Sequence, residues 1–154
     1  MILLDADVLL IDIRFPRDAN FAVNQQLLEW LRSEHRAAGI AAQALLEVVG
    51  ILSFNVSPAK IPALARQVAR QYRLTVVPDW KSQPEYAGCR VQDVLDQMTR
   101  QMALGDAVQA VQIERFAPQA ECLLTWNARH FVGKLVIPVF TPQEWLAQQI
   151  SPAS

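Results

Sequence analysis

The chain has 154 residues, of which 52% are hydrophobic and 19% charged, which favours one domain with a full core. Its net charge of -1 and its pI near 6.1 exclude a strong general attraction to nucleic acid, so any such contact needs a local basic patch or a metal ion. Cys89 and Cys122 lie far apart and outside any CxxC or Cys/His cluster, which argues against a disulfide framework and a zinc site and favours a reducing cytoplasm.

Apolar runs of strand length alternate with helical patterns along the chain. Residues 1–5 predict a first strand, and residues 21–36, with Leu27, Leu28 and Leu31 on one face, predict a helix. The later predicted elements are a strand at 40–42, a helix at 43–54, an amphipathic segment at 58–72, a strand at 73–78, a loop containing Pro84 and Gly88, a helix at 91–102, a helix from 105–106, strands at 121–125 and 134–140, and a helix at 142–150.

The longest apolar stretch, residues 40–54, is interrupted by Gln43 and Glu47 and is too short to cross a bilayer. No basic segment precedes the first apolar run. We therefore expect a cytoplasmic protein with no targeting signal and no membrane contact.

Strands that alternate with helices predict an α/β fold, a three-layer αβα sandwich around a parallel sheet of four to five short strands. We expect a single domain at residues 1–150, followed by a short tail at 151–154. Ligands of such sheets bind at the carboxyl ends of the strands. Asp5 and Asn127 each follow a predicted strand, so we expect both side chains at that edge.

Glu47 stands in a predicted helix whose other residues leave it no obviously solvated face. An unpaired buried carboxylate costs several kcal/mol unless it is protonated, ion-paired or bound to a metal. The alternative explanations are a salt bridge to an arginine, or a helix that is less buried than its pattern indicates.

Asp106 and Asn127 also have ordinary explanations. Asp106 lies where a helix starts, a position at which aspartate caps free backbone N–H groups. Asn127 is of a residue type common in turns. Asp7 follows Asp5 by two positions and points to the opposite side if the strand continues.

The four polar groups Asp5, Glu47, Asp106 and Asn127 can all meet at one end of a parallel sheet. Three ionised carboxylates cannot be packed together without a cation, because like charges raise one another's pKa values. Mg²⁺ or Mn²⁺ is the natural occupant, since Mg²⁺ binds one or two carboxylates and leaves positions for water and phosphate oxygens. This arrangement is typical of phosphate-ester hydrolysis.

The first half of the chain resembles the PIN-domain nucleases, and within them the single-domain toxins of the VapC type. The family's opening strand and Asp-Thr-Asn-Val-Leu are similar to "LLDADVLL", which puts Asp5 at the metal-binding acid and Asp7 where asparagine is usual. The family's helical glutamate in an apolar stretch is similar to Glu47 of "ALLEVVG".

The resemblance continues through the second half and so covers nearly the whole chain. The family's Asp-Ala before a small-residue helix is similar to Asp106 and Ala107 in "LGDAVQAVQIE". Its closing strand, followed by threonine, an acid or asparagine, and phenylalanine, resembles "LLTWNARHF", with Thr125, Asn127 and Phe131 in register.

The resemblance implies a Mg²⁺- or Mn²⁺-dependent ribonuclease. Asp5 and Asp106 would bind the metal, Glu47 would complete its coordination or orient water, and Thr125 and Asn127 would hydrogen-bond water or phosphate. The metal would lower the pKa of water and neutralise the scissile phosphate. The resemblance also implies an RNA substrate, a homodimer and a small antitoxin partner that occludes the site.

Two departures from the family pattern bear on the metal site. Ala6 replaces a residue that often carries a hydroxyl, and Asn127 carries no charge at the fourth acidic position. We therefore expect a second metal to be held weakly. His130 stands where some members have another acid, and we interpret it as a neighbour of the site and not as a ligand.

Basic residues could supply local contacts to the substrate. Arg129 lies beside the predicted site loop, and we assign it to substrate binding together with Thr125. We expect Arg66, Arg70 and Arg73 to share one face of a helix at residues 62–73, where an ordinary solvated face or a surface for an acidic partner is the alternative.

Other families share parts of these motifs. A haloacid-dehalogenase-type phosphatase also has a strand that ends in Asp-x-Asp, but its later acidic pair would need an acid where Ala110 stands. A response-regulator receiver could use Asp79 as phosphoacceptor, but Lys134 is wrongly placed for it. A PIN domain that only binds RNA or a protein partner, without cleaving, is the main alternative.

Overall fold

The computed structural model describes residues 1–80 and 88–150, so the predicted loop residue Pro84 and the tail at 151–154 lie outside the described residues. The elements are β1 (Ile2–Leu4), α1 (Ala6–Arg14), α2 (Phe21–Ser33), β2 (Ala38–Ala41), α3 (Ala42–Ser53), α4 (Ile61–Gln71), β3 (Leu74–Val77), α5 (Val91–Thr99), α6 (Leu104–Phe116), β4 (Cys122–Leu124), β5 (Val139–Phe140) and α7 (Pro142–Ile150). Short 3-10 helices lie at Pro58–Lys60 and Ala128–His130.

The five strands form one parallel sheet in the order β3-β2-β1-β4-β5. The central strands β1 and β4 pair from Ile2 opposite Cys122 to Leu4 opposite Leu124, and these strand residues are completely buried. Burial on both faces explains why the strands read as continuous apolar runs. The predicted α/β sandwich with a parallel sheet and flanking helices is confirmed.

The chain order reverses between β1 and β4. From β1 the chain runs outward to β2 and β3, and it then returns to the other side of β1 to form β4 and β5. The carboxyl ends of β1 and β4 are therefore neighbours at a topological switch point, which is where open α/β sheets bind their ligands. Asp5 and Thr125 are the first residues after these two strands.

Helix α1 is absent from the sequence prediction. The chain enters it directly after β1, with Asp5 at the N-cap, and five of its first six residues are buried. Because the apolar residues of α1 occupy nearly every position, they show no helical period. Asp7 therefore lies in the first turn of a helix and not in a continued strand.

Two strands differ most in extent from the prediction. β2 begins at Ala38 and includes Gly39, where an added Cβ would lie 2.7 Å from Met1 Sδ and 3.0 Å from the Thr75 carbonyl oxygen. β5 contains only Val139 and Phe140 of the predicted 134–140 strand. Turns precede β5. Pro138 has no N–H to donate, and its carbonyl oxygen accepts a hydrogen bond from Leu123 N.

None of the helices in the described part of the chain reaches the length and hydrophobicity of a membrane-spanning segment.

Three helices are followed within two residues by a non-glycine residue in the left-handed region: His35 (φ 50°), Arg73 (φ 54°) and Gln101 (φ 60°). This conformation closes a helix C-terminus, but it places a Cβ near the following carbonyl. Arg73 lies beyond the end of α4. Arg66, Arg70 and Arg73 therefore do not share one helix, contrary to the prediction.

We expect Gln101→Gly to raise the free energy of unfolding by about 0.5–1 kcal/mol, because glycine adopts positive φ without this strain. Urea denaturation of both proteins measures the change. Gln101→Ala is the matched control, since it removes the same side chain but keeps Cβ. Equal stabilisation by both substitutions would show that the backbone conformation is not the cause.

Candidate metal and nucleic-acid site

Asp5 joins the two central strands to the helices around them. Its backbone N–H donates to Leu124 O (3.0 Å), and its Oδ1 caps α1 by accepting from Ala6 N (2.8 Å). Thr125 Oγ1 donates to Asp5 Oδ2 (2.7 Å), and Gln109 Nε2 donates to Oδ1 (3.1 Å). Burial raises the pKa of Asp5 and the charge of Asp106 adds to this, although the hydrogen bonds act in the opposite direction.

Asp7 turns toward the loop at residues 125–127. Four donors surround its Oδ2: Thr125 Oγ1 (3.0 Å), Trp126 N (2.9 Å), Asn127 N (3.2 Å) and Asn127 Nδ2 (3.1 Å). Its Oδ1 is buried and has no hydrogen-bond partner among the residues the structure describes. Burial, with a further contribution from the charge of Asp5, raises the pKa of Asp7 to about 7.

Glu47 is half-buried on α3, so the expectation of a helix with no solvated face is wrong. The same helix exposes Leu46, Ile51 and the C-cap Phe54, the last by 89%. Glu47 Oε1 accepts from Gln43 Nε2 (3.0 Å), and burial raises the pKa of Glu47, with contributions from the charges of Asp5 and Asp106.

Gly105, in the first turn of α6, makes room for the Glu47 carboxylate. A Cβ added at this position would lie only 2.6 Å from Glu47 Oε1. The carboxylate therefore rests against the N-terminus of α6, where the free N–H groups and the helix dipole favour negative charge.

Asp106 lies in the first turn of α6, as its position in the sequence predicts. It is not the N-cap residue, which is Ala103, and its Oδ2 contacts His130 Nδ1 at 3.1 Å. His130 is therefore a neighbour of the site, as expected. Exposed Arg129 precedes it in the short helix Ala128–His130, beside the loop that holds Asp7.

The structure thus gathers the predicted residues Asp5, Glu47, Asp106, Thr125 and Asn127 around the switch point. Direct hydrogen bonds link Asp5, Asp7, Thr125 and Asn127. Glu47 and Asp106 are connected to Asp5 through the electrostatic effects on the pKa values of Asp5 and Glu47.

Sequence reasoning missed two polar contributors. Gln109, which is 1% exposed, reaches Asp5 from α6, and its position three residues after Asp106 was the available signal. Asn24, which is completely buried on α2, donates to Val8 O (2.9 Å) and accepts from Trp126 Nε1 (2.9 Å). These bonds fasten the site loop to α1 and α2, and no motif in the sequence marks Asn24.

The donor chemistry fits a hard divalent cation, because carboxylate oxygens are the ligands that Mg²⁺ and Mn²⁺ prefer. The unpartnered Asp7 Oδ1 and the mutual repulsion of the carboxylates support this assignment. Within residues 1–80 and 88–150, no three side chains of histidine, cysteine, aspartate or glutamate are grouped closely enough to hold an ion as they stand. Side-chain rotation would have to bring the carboxylates together around the cation.

No family model matches the chain, and no curated protein matches it in sequence. A solved structure of FitAB bound to an IR36 DNA fragment is similar to it in fold, with a TM-score of 0.57 over 92% of this chain and 95% of that chain. The two sequences are 16% identical, so the likeness establishes the shared fold alone. That fold is PIN-like, and the likeness does not single out the VapC type.

We expect Gly105→Ala to weaken Mn²⁺ binding about 3- to 10-fold, because the added Cβ displaces the Glu47 carboxylate. Thermal stability should not fall, since alanine is the better helix former. Calorimetric titration with Mn²⁺ measures the affinity. Gly50→Ala on α3 is the matched control, because no atom lies within 4 Å of its added Cβ. Equal Mn²⁺ affinity in the two variants would contradict the role given to Gly105.

We expect the metal-free protein to lose stability as the pH rises from 5 to 8. The pKa of Asp7 rises from 3.8 to about 7 on folding, so the folded state binds this proton more tightly. The stabilisation is fully present below 3.8 and is lost as the pH rises through about 7. Between pH 5 and 8 the contribution of Asp7 falls by on the order of 3 kcal/mol.

Urea denaturation in the presence of a chelator tests this dependence. Asp7→Asn should flatten the decrease, and substitution of an exposed acid on α2, Glu29→Gln, should leave it unchanged. The same slope in Asp7→Asn and the wild type would assign the pH dependence to other groups.

Proposed function

We propose that this protein is a metal-dependent endoribonuclease that cleaves RNA phosphodiester bonds. The observation that supports this most directly is the electrostatic influence of Asp5, Glu47 and Asp106 on one another near the switch point, where burial and these neighbouring charges raise the pKa values of Asp5 and Glu47. A site of this kind gains stability by taking up a cation, and phosphate oxygens can complete the coordination of Mg²⁺.

In the proposed site Asp5 and Asp106 hold Mg²⁺ or Mn²⁺ and Glu47 completes the set. When bound, the cation supplies charge neutralisation at the phosphate and acidifies water. Alternatively, Glu47 orients the attacking water by accepting a hydrogen bond from it. Thr125 and Asn127 orient water or phosphate, and exposed Arg129 binds the phosphate backbone.

We also propose that the protein is the toxin of a toxin–antitoxin pair, with a small antitoxin as partner and a homodimer as the assembly. The support is the motif resemblance, which runs in order through nearly the whole chain, and the PIN-like fold that it shares with the structure of FitAB bound to DNA. Copurification of a small DNA-binding protein would favour this assignment over a housekeeping nuclease.

The second candidate function is RNA or protein binding without cleavage. Asn127 at the fourth acidic position favours it, as does the spacing of the side chains, which do not yet form a metal-binding group in the described residues. A phosphatase is less well supported, because Ala110 replaces its second acid and Asp7 is engaged by the site loop.

We expect partner-free protein to cleave a mixed RNA pool with Mn²⁺ or Mg²⁺ and to stop when a chelator is added. Asp5→Asn and Glu47→Gln should each lower the rate at least about 100-fold, because each removes a charge from the cation site. Glu29→Gln, on the exposed face of α2, is the control and should cleave at the wild-type rate.

Gel analysis of the products distinguishes the candidates. Undiminished cleavage in both site variants, or none in the wild type with either metal, would rule out the proposed nuclease. RNA retention on a filter without any products would instead support the binding module.

A further inference from the structure

Asp7 and Asn127 are the two positions at which the chain departs in charge from the pattern it resembles, and they are in direct contact. The pattern has asparagine at position 7 and an acid or asparagine at position 127, whereas this chain has the acid at position 7 and asparagine at position 127. Asn127 Nδ2 donates to Asp7 Oδ2 at 3.1 Å, and Asn127 N lies 3.2 Å from the same oxygen. The site therefore retains one acid and one amide across this contact.

Hydrogen-bond chemistry explains why an acid and an amide are favourable partners in the Asp7–Asn127 contact. An ionised carboxylate only accepts, and the NH₂ group of asparagine only donates. One acid that faces one amide forms a charge-assisted hydrogen bond, whichever of the two positions carries the acid. Two acids would repel each other, and two amides would remove the charge from the pair.

The environment of Asp7 holds its carboxylate in one orientation. The donors on Oδ2 come from three consecutive residues, 125–127, and Trp126 is itself anchored to buried Asn24. Oδ1 is buried without a partner in the described chain, and an unsatisfied buried carboxylate oxygen is costly. A cation that bound this oxygen would remove that cost.

We infer that Asp7 is the fourth acidic group of the cation site and that Asn127 is a positioning residue, which holds the Asp7 carboxylate through its amide. This positioning role replaces the direct contact with water or phosphate that the resemblance implies for Asn127. The inference rests on the proposed metal-dependent function. It assigns to Asp7 the negative charge that Asn127 lacks.

The test compares Asp7→Asn, Asn127→Asp and the double exchange Asp7→Asn/Asn127→Asp. Calorimetric titration with Mn²⁺ alone measures binding without any substrate. We expect Asp7→Asn to lose at least about 10-fold in affinity, and the double exchange to recover to within about 3-fold of the wild type. Asn127→Asp should lower the metal-free melting temperature, because it sets two carboxylates in contact.

A second readout follows the loop in the metal-free protein. The indole N–H resonance of Trp126, whose group donates to Asn24, should move in each single variant and return toward its wild-type position in the double exchange. This spectroscopic recovery separates loss of the acid–amide contact from general unfolding.

The outcomes separate this inference from the proposed function. Wild-type Mn²⁺ affinity in Asp7→Asn, or a double exchange no better than its worse single variant, overturns the inference even if RNA is cleaved. Loss and recovery of Mn²⁺ binding in a protein that cleaves no RNA supports the inference and overturns the nuclease proposal. Absence of Mn²⁺ binding in the wild type overturns both.

Discussion

Buried Asp5 connects the central strands to the helices around them through its hydrogen bonds. It caps α1, its backbone N–H pairs with the end of β4, and its side chain accepts hydrogen bonds from Gln109 on α6 and from Thr125. A charge at this depth needs such partners because its desolvation is otherwise unopposed. The same contacts that make Asp5 tolerable in the core bring β1, β4, α1 and α6 together at one edge of the sheet.

Thr125 imposes a further constraint. Its hydroxyl has one hydrogen, and both Asp5 Oδ2 and Asp7 Oδ2 lie within bonding distance of it. Only one carboxylate can accept that hydrogen at a time. The negative charge of the other carboxylate is then stabilised by one hydrogen bond fewer, beside the charge of its neighbour. The metal-free site therefore favours a proton, and a divalent cation would replace that proton. The stability of the metal-free protein is greater with a protonated carboxylate, whereas the proposed activity requires the carboxylates to be ionised.

The sequence predicted the parallel sheet well, because strands buried on both faces appear as apolar runs and because the acids directly follow them. It did not predict α1, whose apolar residues show no period, or the exposure of α3, which depends on how closely α4 and α6 cover it. The role of Gln109 was missed in spite of its spacing of three residues from Asp106, since glutamine on a helix is usually solvated. The direction of Asp7 followed from α1 and was missed with it.

The contact between Asp7 and Asn127 bears on how sequences of this kind are compared. An alignment treats each position as an independent column, so it counts an extra acid in one column and a missing acid 120 columns later. The folded chain places the two side chains 3.1 Å apart, in direct hydrogen-bond contact. Classifying such a chain on the basis of position 127 alone would therefore miss the acid at position 7 that is in contact with it.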